Sequence, residues 1–282
     1  MEISLGFSPC PNDTFIFYAL VNDKIDTGGL KFQPHIADVE ALNKLAFNRS
    51  LMVTKISFNA YLHLINDYII LNSGSALGKN CGPLLISKEF IPLSTLRTKT
   101  IAIPGEFTTA HFLLDFFMPK LSLKKVYLFN QIEDAILDGK VDAGVIIHEN
   151  RFTYSDKGLS LIQDLGSFWE NRTNSPIPLG GIIIQRALSG SLAETINRCI
   201  YDSLIYAWDH EEEALEYCRT YAQYMDNEVM RNHIKLYVND FTLNLNIQGK
   251  ESIRRFFQEA YRLGKVAPYH QPQFLPDAQI KL

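Results

Sequence analysis

His148 is the residue in this chain best suited to move a proton. It follows Ala143 to Ile147, a run of small or β-branched apolar residues. Such a run reads as a strand buried on both faces, as parallel strands are. In open α/β sheets ligands sit beyond the carboxyl ends of the parallel strands. His148 is therefore delivered to the edge where chemistry is done, and a side chain that titrates near neutrality suits a general base. Three more groups fall at similar junctions. Lys55, Ile56 and Ser57 end a strand predicted over Met52 to Ile56, where a helix follows. Lys55 reads either as a solvated charge or as a ligand group. Thr108 and Thr109 open the helix predicted over Ala110 to Leu121. One of them would cap it, and two hydroxyls over free helix N–H groups also make a cradle for a carboxylate or phosphate. Pro11, Asn12 and Asp13 lie in a proline-stiffened loop before a helix predicted from Thr14. Asn12 or Asp13 either caps that helix and does no more, or the loop is an anion site at its start.

Other chemistries lack their motifs. The seven histidines show no HExxH or other metal-ligand spacing, so no metal is expected. Cys10, Cys81, Cys199 and Cys218 form no CxxC pair and read as free thiols. The loop Ser73 to Asn80 approaches a P-loop and fails, with the glycines one residue too close and Asn80 where Ser or Thr should hold magnesium. No GxSxG elbow is present and no GxGxxG follows a strand, so no dinucleotide cofactor is implied. A net charge of -4 without a dense Lys/Arg run argues against nucleic acid as a partner. No apolar run approaches the roughly 20 residues of a membrane helix. The first residues lack a basic segment and an apolar core of the signal-peptide kind, so the expected location is the cytoplasm. The sequence leaves open whether the chain forms a homodimer.

These groups need a frame to hold them. The 282 residues are ample for two domains. Strands are predicted at Ile3 to Phe7, Leu30 to Ile36, Met52 to Ile56 and Tyr68 to Leu71, with helices over Thr14 to Asp23, Val39 to Asn48 and Phe58 to Ile65. A second βαβαβ unit runs from Thr100 to Ile147, including a strand at Val126 to Phe129 and a helix at Ile132 to Asp138. The stretch from Tyr154 to Glu170 reads as irregular. Leu179 to Ile184 reads as a strand returning to the first unit, and four helices follow: Leu192 to Trp208, Glu211 to Met225, Glu228 to Val238 and Glu251 to Leu263. The tail from Ala267 is proline-rich and reads as extended. One α/β unit inserted in another describes a clamshell. The expected division is a larger discontinuous lobe of residues 1–88 and 177–282 and a smaller lobe of residues 89–176, with a ligand cleft between them.

Several of these motifs together resemble a known family. Ser8-Pro9-Cys10-Pro11-Asn12-Asp13-Thr14-Phe15, Lys55-Ile56-Ser57, Pro104-Gly105 with Thr108-Thr109-Ala110, and Asp142 to Glu149 with Arg151 to Tyr154 are similar, in order and spacing, to the 1,4-dihydroxy-6-naphthoate synthases of the futalosine route to menaquinone. Asn59 departs from the histidine common there. The resemblance implies a two-lobed periplasmic-binding-protein-like (type II) fold used as a cytoplasmic lyase without metal or organic cofactor. It implies cleavage of a carboxylate substrate, cyclic dehypoxanthine futalosine, with loss of a dihydroxyacetone-type fragment. It assigns the catalytic base to His148 and substrate contacts to Lys55 through Ser57 and to Thr108 and Thr109. The competing expectations are a chorismate dehydratase of the same pathway, a non-catalytic solute-binding protein, and the ligand-sensing domain of a regulator. An exported binding protein needs a leader, and a regulator needs a DNA-binding segment.

Overall fold

A computed structural model of the chain describes residues 1–188, 190–222, 226–268 and 270–276. The first lobe begins with β1 (Glu2–Phe7), α1 (Pro11–Val21), β2 (Lys31–Ile36), α2 (Val39–Phe47), β3 (Val53–Ser57), α3 (Phe58–Tyr61), β4 (Tyr68–Ile70) and β5 (Ala76–Gly78). The chain then crosses to β6 (Leu84–Ser87), β7 (Ile101–Ile103), α4 (Thr109–Phe117), β8 (Lys124–Val126), α5 (Ile132–Leu137), β9 (Ala143–Ile146), α6 (Asn150–Thr153), β10 (Ser160–Asp164) and α7 (Leu165–Thr173). It returns through β11 (Ile177–Gln185) and finishes in α8 (Ser191–Asp209), α9 (Glu211–Tyr221), α10 (Asn227–Tyr237), α11 (Asp240–Leu243) and α12 (Ile247–Arg262). The last residues of the helix expected to reach Met225, residues 223–225, lie outside the described residues, as do residues 269 and 277–282 of the tail.

Two mixed sheets result. The first has the order β2-β1-β3-β11-β4, with β5 also on β11, and the second β10-β6-β9-β7-β8. β1 is parallel to β2 and β3, and β7 is parallel to β8 and β9. β9 is central and wholly buried, as its run of Ala, Gly, Val and Ile requires.

The structure corrects four sequence expectations. The lobe boundary expected after residue 88 falls earlier, because Leu84–Ser87 pairs with β9 and β10 in the second sheet and the crossing comes before Leu84. The stretch expected to be irregular after Tyr154 contains β10 and α7. β10 is a half-exposed edge strand, and such strands carry little apolar alternation. α7 is capped by the Asp164 side chain, which accepts from the Ser167 N–H. Finally, β8 ends where a strand was expected to begin, and α12 begins at Ile247, behind an Asn246 cap and four residues before the expected Glu251.

The crossing is tight. Gly82 lies against Gly166 so closely that a Cβ on Gly82 would stand 2.3 Å from the Gly166 Cα and 2.6 Å from its nitrogen. Two backbones cannot rotate away from each other as side chains do. Gly82→Ala should cost about 1–3 kcal/mol by overpacking, read as a lower urea midpoint at unchanged slope; an unchanged midpoint would show that the crossing is free to relax.

The lobes also share apolar core. Phe112 of α4, Trp169 of α7 and Phe256 of α12 are fully buried together, with ring centroids 4.0 Å apart for Phe112–Phe256 and 5.8 Å for Trp169–Phe256. α12 thus lays its apolar face (Ile253, Phe256, Phe257, Ala260) across the junction rather than beside it.

Candidate functional site

A cleft of about 650 Å³, open solvent at its mouth included, lies between the lobes. His148, Lys55, Ile56, Ser57, Asn12 and Asp13 all line it, as do Thr108 and Thr109. Pro11 does not. Its carbonyl is turned into the protein, accepting from the Thr14 hydroxyl and the Cys218 thiol.

The loop for which a helix cap and an anion site were the two readings does not cap the helix. α1 starts at Pro11, three residues earlier than expected, with proline at a position where its missing N–H is no loss. Neither Asn12 nor Asp13 caps it. Asp13 instead forms a buried ion pair with Lys55, 2.9 Å from its ammonium, and also accepts from the Ser8 hydroxyl and N–H. The Lys55 ammonium donates in addition to the Gly74 carbonyl at 3.3 Å. Lys55 is therefore neither a solvated charge nor an unpaired cation awaiting a carboxylate.

Ser57 ends β3 and accepts a 3.3 Å hydrogen bond from Asn43, which leaves its own proton to offer the cleft. Thr108 caps α4: it accepts from the His111 N–H and donates to the Gly105 carbonyl. Thr109 donates to the Leu179 carbonyl at 2.6 Å. Both hydroxyls have structural partners, so the part of the expected cradle that faces the cleft is the start of α4 itself, with Thr109 and Ala110 lining it. Asn59 is not in the lining. Its amide donates to the Glu106 and Thr108 carbonyls, strapping α3 to the second lobe. The Glu40 carboxylate makes a second strap by accepting from the Phe107 N–H, and burial raises its pKa.

His148 stands two residues past the end of β9, in the left-handed region at φ 59°. A non-glycine residue there is strained, and such strain collects at functional sites. Its ring stands 5.0 Å from that of Phe129 and 6.1 Å from that of His233. Burial lowers its pKa, and the opposing pull of the Glu149 and Asp13 carboxylates is weaker. The side chain is thus neutral at pH 7, the state a base requires.

Two groups from α10 escaped the sequence reading, one in the cleft lining and one behind it. Tyr237 lines the cleft, and burial pushes its phenol far above its usual range. His233 lies beneath His148, fully buried, with its Nε2 3.0 Å from the Asn12 Oδ1. The sequence carried no signal for that contact, which joins residues 221 positions apart. Among the described residues no group of three or more His, Cys, Asp or Glu could hold a metal ion.

Residues 3–262 match the family model described as menaquinone biosynthesis. Two proteins named 1,4-dihydroxy-6-naphthoate synthase are similar over nearly their whole lengths. The one from Thermus thermophilus is 41% identical, covering 97% of this chain and 99% of the relative. The one from Streptomyces coelicolor is 37% identical, covering 98% and 97%. Among solved structures, a protein of Archaeoglobus fulgidus superposes with a TM-score of 0.89 at 35% identity, covering 94% of this chain and 98% of that one. The alkanesulfonate-binding protein of Xanthomonas axonopodis superposes with a TM-score of 0.71 at 12% identity, covering 94% of each chain. At that identity the likeness shows the fold alone, and the fold is the two-lobed α/β clamshell of periplasmic binding proteins.

Proposed function

Because this chain belongs to the menaquinone biosynthesis family, we propose that it is the lyase that converts cyclic dehypoxanthine futalosine to 1,4-dihydroxy-6-naphthoate, with His148 as general base. The observation that carries this reading is the His148 ring: it lines the cleft, follows the central strand β9, and is held neutral by burial. Neutral His148 removes a proton made acidic by a neighbouring carbonyl, and negative charge gathers on the enolate oxygen. The bond to the dihydroxyacetone-type fragment then breaks with its electron pair leaving on that fragment, the fragment takes back the proton held by His148, and the ring becomes aromatic. Aromatisation supplies driving force that the protein need not.

The start of α4 and the Ser57 hydroxyl support a site for an anion, either the enolate oxygen or the substrate carboxylate. Lys55 contributes through its ion pair with Asp13, which fixes the floor of the cleft. The straps from Asn59 and Glu40 hold the lobes over the substrate and keep water from the intermediate.

Incubation of purified protein with cyclic dehypoxanthine futalosine, with and without EDTA, tests the assignment by absorbance and mass of the naphthoate. The expected result is product in both samples. Product lost with EDTA would require a metal in the reaction. Chorismate consumed instead would make the protein a dehydratase, and inertness toward both would leave only a binding protein.

A further inference from the structure

Asn12 has one allowed orientation. Its Nδ2 lies 2.8 Å from the Asp13 Oδ1, an acceptor that also takes the Lys55 ammonium. The amide must donate there, so its oxygen faces the His233 Nε2 and that nitrogen must carry the proton. Nδ1 of His233 is then a bare lone pair, and it is buried without a hydrogen-bond partner. A buried polar atom left unpaired in this way calls for a reason. On one side the His233 ring packs against Tyr237, with centroids 4.7 Å apart. On the other it stacks with His148 at 25°.

We propose that His233 is a positioning residue for His148: a single-tautomer imidazole, anchored through Asn12 and Asp13 to Lys55, that fixes the plane of the base's ring from beneath. The inference deepens the reading of His148 as general base and rests on it for its kinetic consequence. Every member of the anchor is buried: Lys55, Asp13 and Asn12 in the cleft wall and His233 behind it. His233 is itself unfit to take the proton. Burial lowers its pKa well below the ordinary value, and a charge on His148 lowers it further. The base therefore keeps the proton it abstracts instead of sharing it with the ring below. The other charges that act on His148 are Glu149, Asp13, Lys55 and Asp38, and none of them belongs to α10, which carries His233.

His233→Phe retains a flat ring and removes both nitrogens. His233→Gln retains a donor for Asn12 and removes the ring. Each should lower kcat by about tenfold to a hundredfold, the scale of a misplaced catalytic group, with KM changed less than about threefold. Each should also displace the acid midpoint of kcat/KM. A role confined to stability would leave that midpoint in place, and wild-type kcat with a wild-type midpoint in both variants would overturn the proposal. The ligand-free protein supplies an independent reading: nitrogen-15 NMR of the histidine rings should show His233 as the Nε2–H tautomer across neutral pH, and the His148 titration should shift in His233→Phe. That shift reports positioning even if His148→Ala turns over normally, so failure of the base assignment and failure of this proposal are told apart. A His148 titration identical in both proteins would sink it.

Discussion

Replacing His148 with alanine lowers kcat by about 10²- to 10⁴-fold and leaves substrate affinity nearly unchanged, the usual contribution of a general base. The ring stands between Phe129 and His233, and truncating it removes the proton acceptor without touching Ser57 or the start of α4. Alanine is, however, poorly suited to the left-handed backbone at this position. His148→Asn is the better comparison, because asparagine tolerates that conformation while offering no base. Both variants should bind substrate and fail to turn it over. In the wild type, kcat/KM should fall toward acid as His148 is protonated. Burial holds its pKa below the ordinary 6.5, so the midpoint of that fall should lie below 6.5, and the enzyme should stay active where an exposed imidazole would be half protonated. Near-normal kcat in both variants, or a midpoint above 6.5, would remove His148 from the role.

The second large effect belongs to Lys55 and Asp13. Their side chains are 6% and 2% exposed and 2.9 Å apart. Breaking a buried pair by removing one partner leaves an uncompensated charge and typically costs about 3–5 kcal/mol. Lys55→Met strands the Asp13 carboxylate, although Ser8 and Asn12 still donate to it. Asp13→Asn strands the ammonium against a single carbonyl, that of Gly74. Each single variant should lose stability on that scale in urea unfolding. The double variant should lose less than the sum, with a coupling of about 0.5–3 kcal/mol. Strict additivity would show that the two charges do not depend on each other.

The order of strands and helices was legible because β9 and β7 are apolar runs and α2, α8 and α10 repeat at helical spacing. The edge strand β10 was not, since half of its surface is wet and its pattern mixed. Within the cleft, His148, Ser57 and the start of α4 could be read from where strands end and a helix begins, a local property. What Lys55 and Asp13 do to each other could not. They are 42 positions apart, and each alone reads as an ordinary surface charge or cap. His233 was harder still. Within its helix it is one more residue of a buried stripe, and only the folded chain sets it between Asn12, Tyr237 and His148.

Phe112, Trp169 and Phe256 bear on whether the molecule can be taken apart. Transport proteins of this shape invite a picture of two independent modules joined by a hinge. Here α12, the last helix among the described residues, is pressed into the inserted lobe, and Phe256 finds its closest aromatic neighbour there. A fragment cut at the crossings would carry one half of an aromatic cluster into water and leave the other half bare on the remainder. Neither lobe is a transferable part, because each is completed by aromatic rings that the other carries.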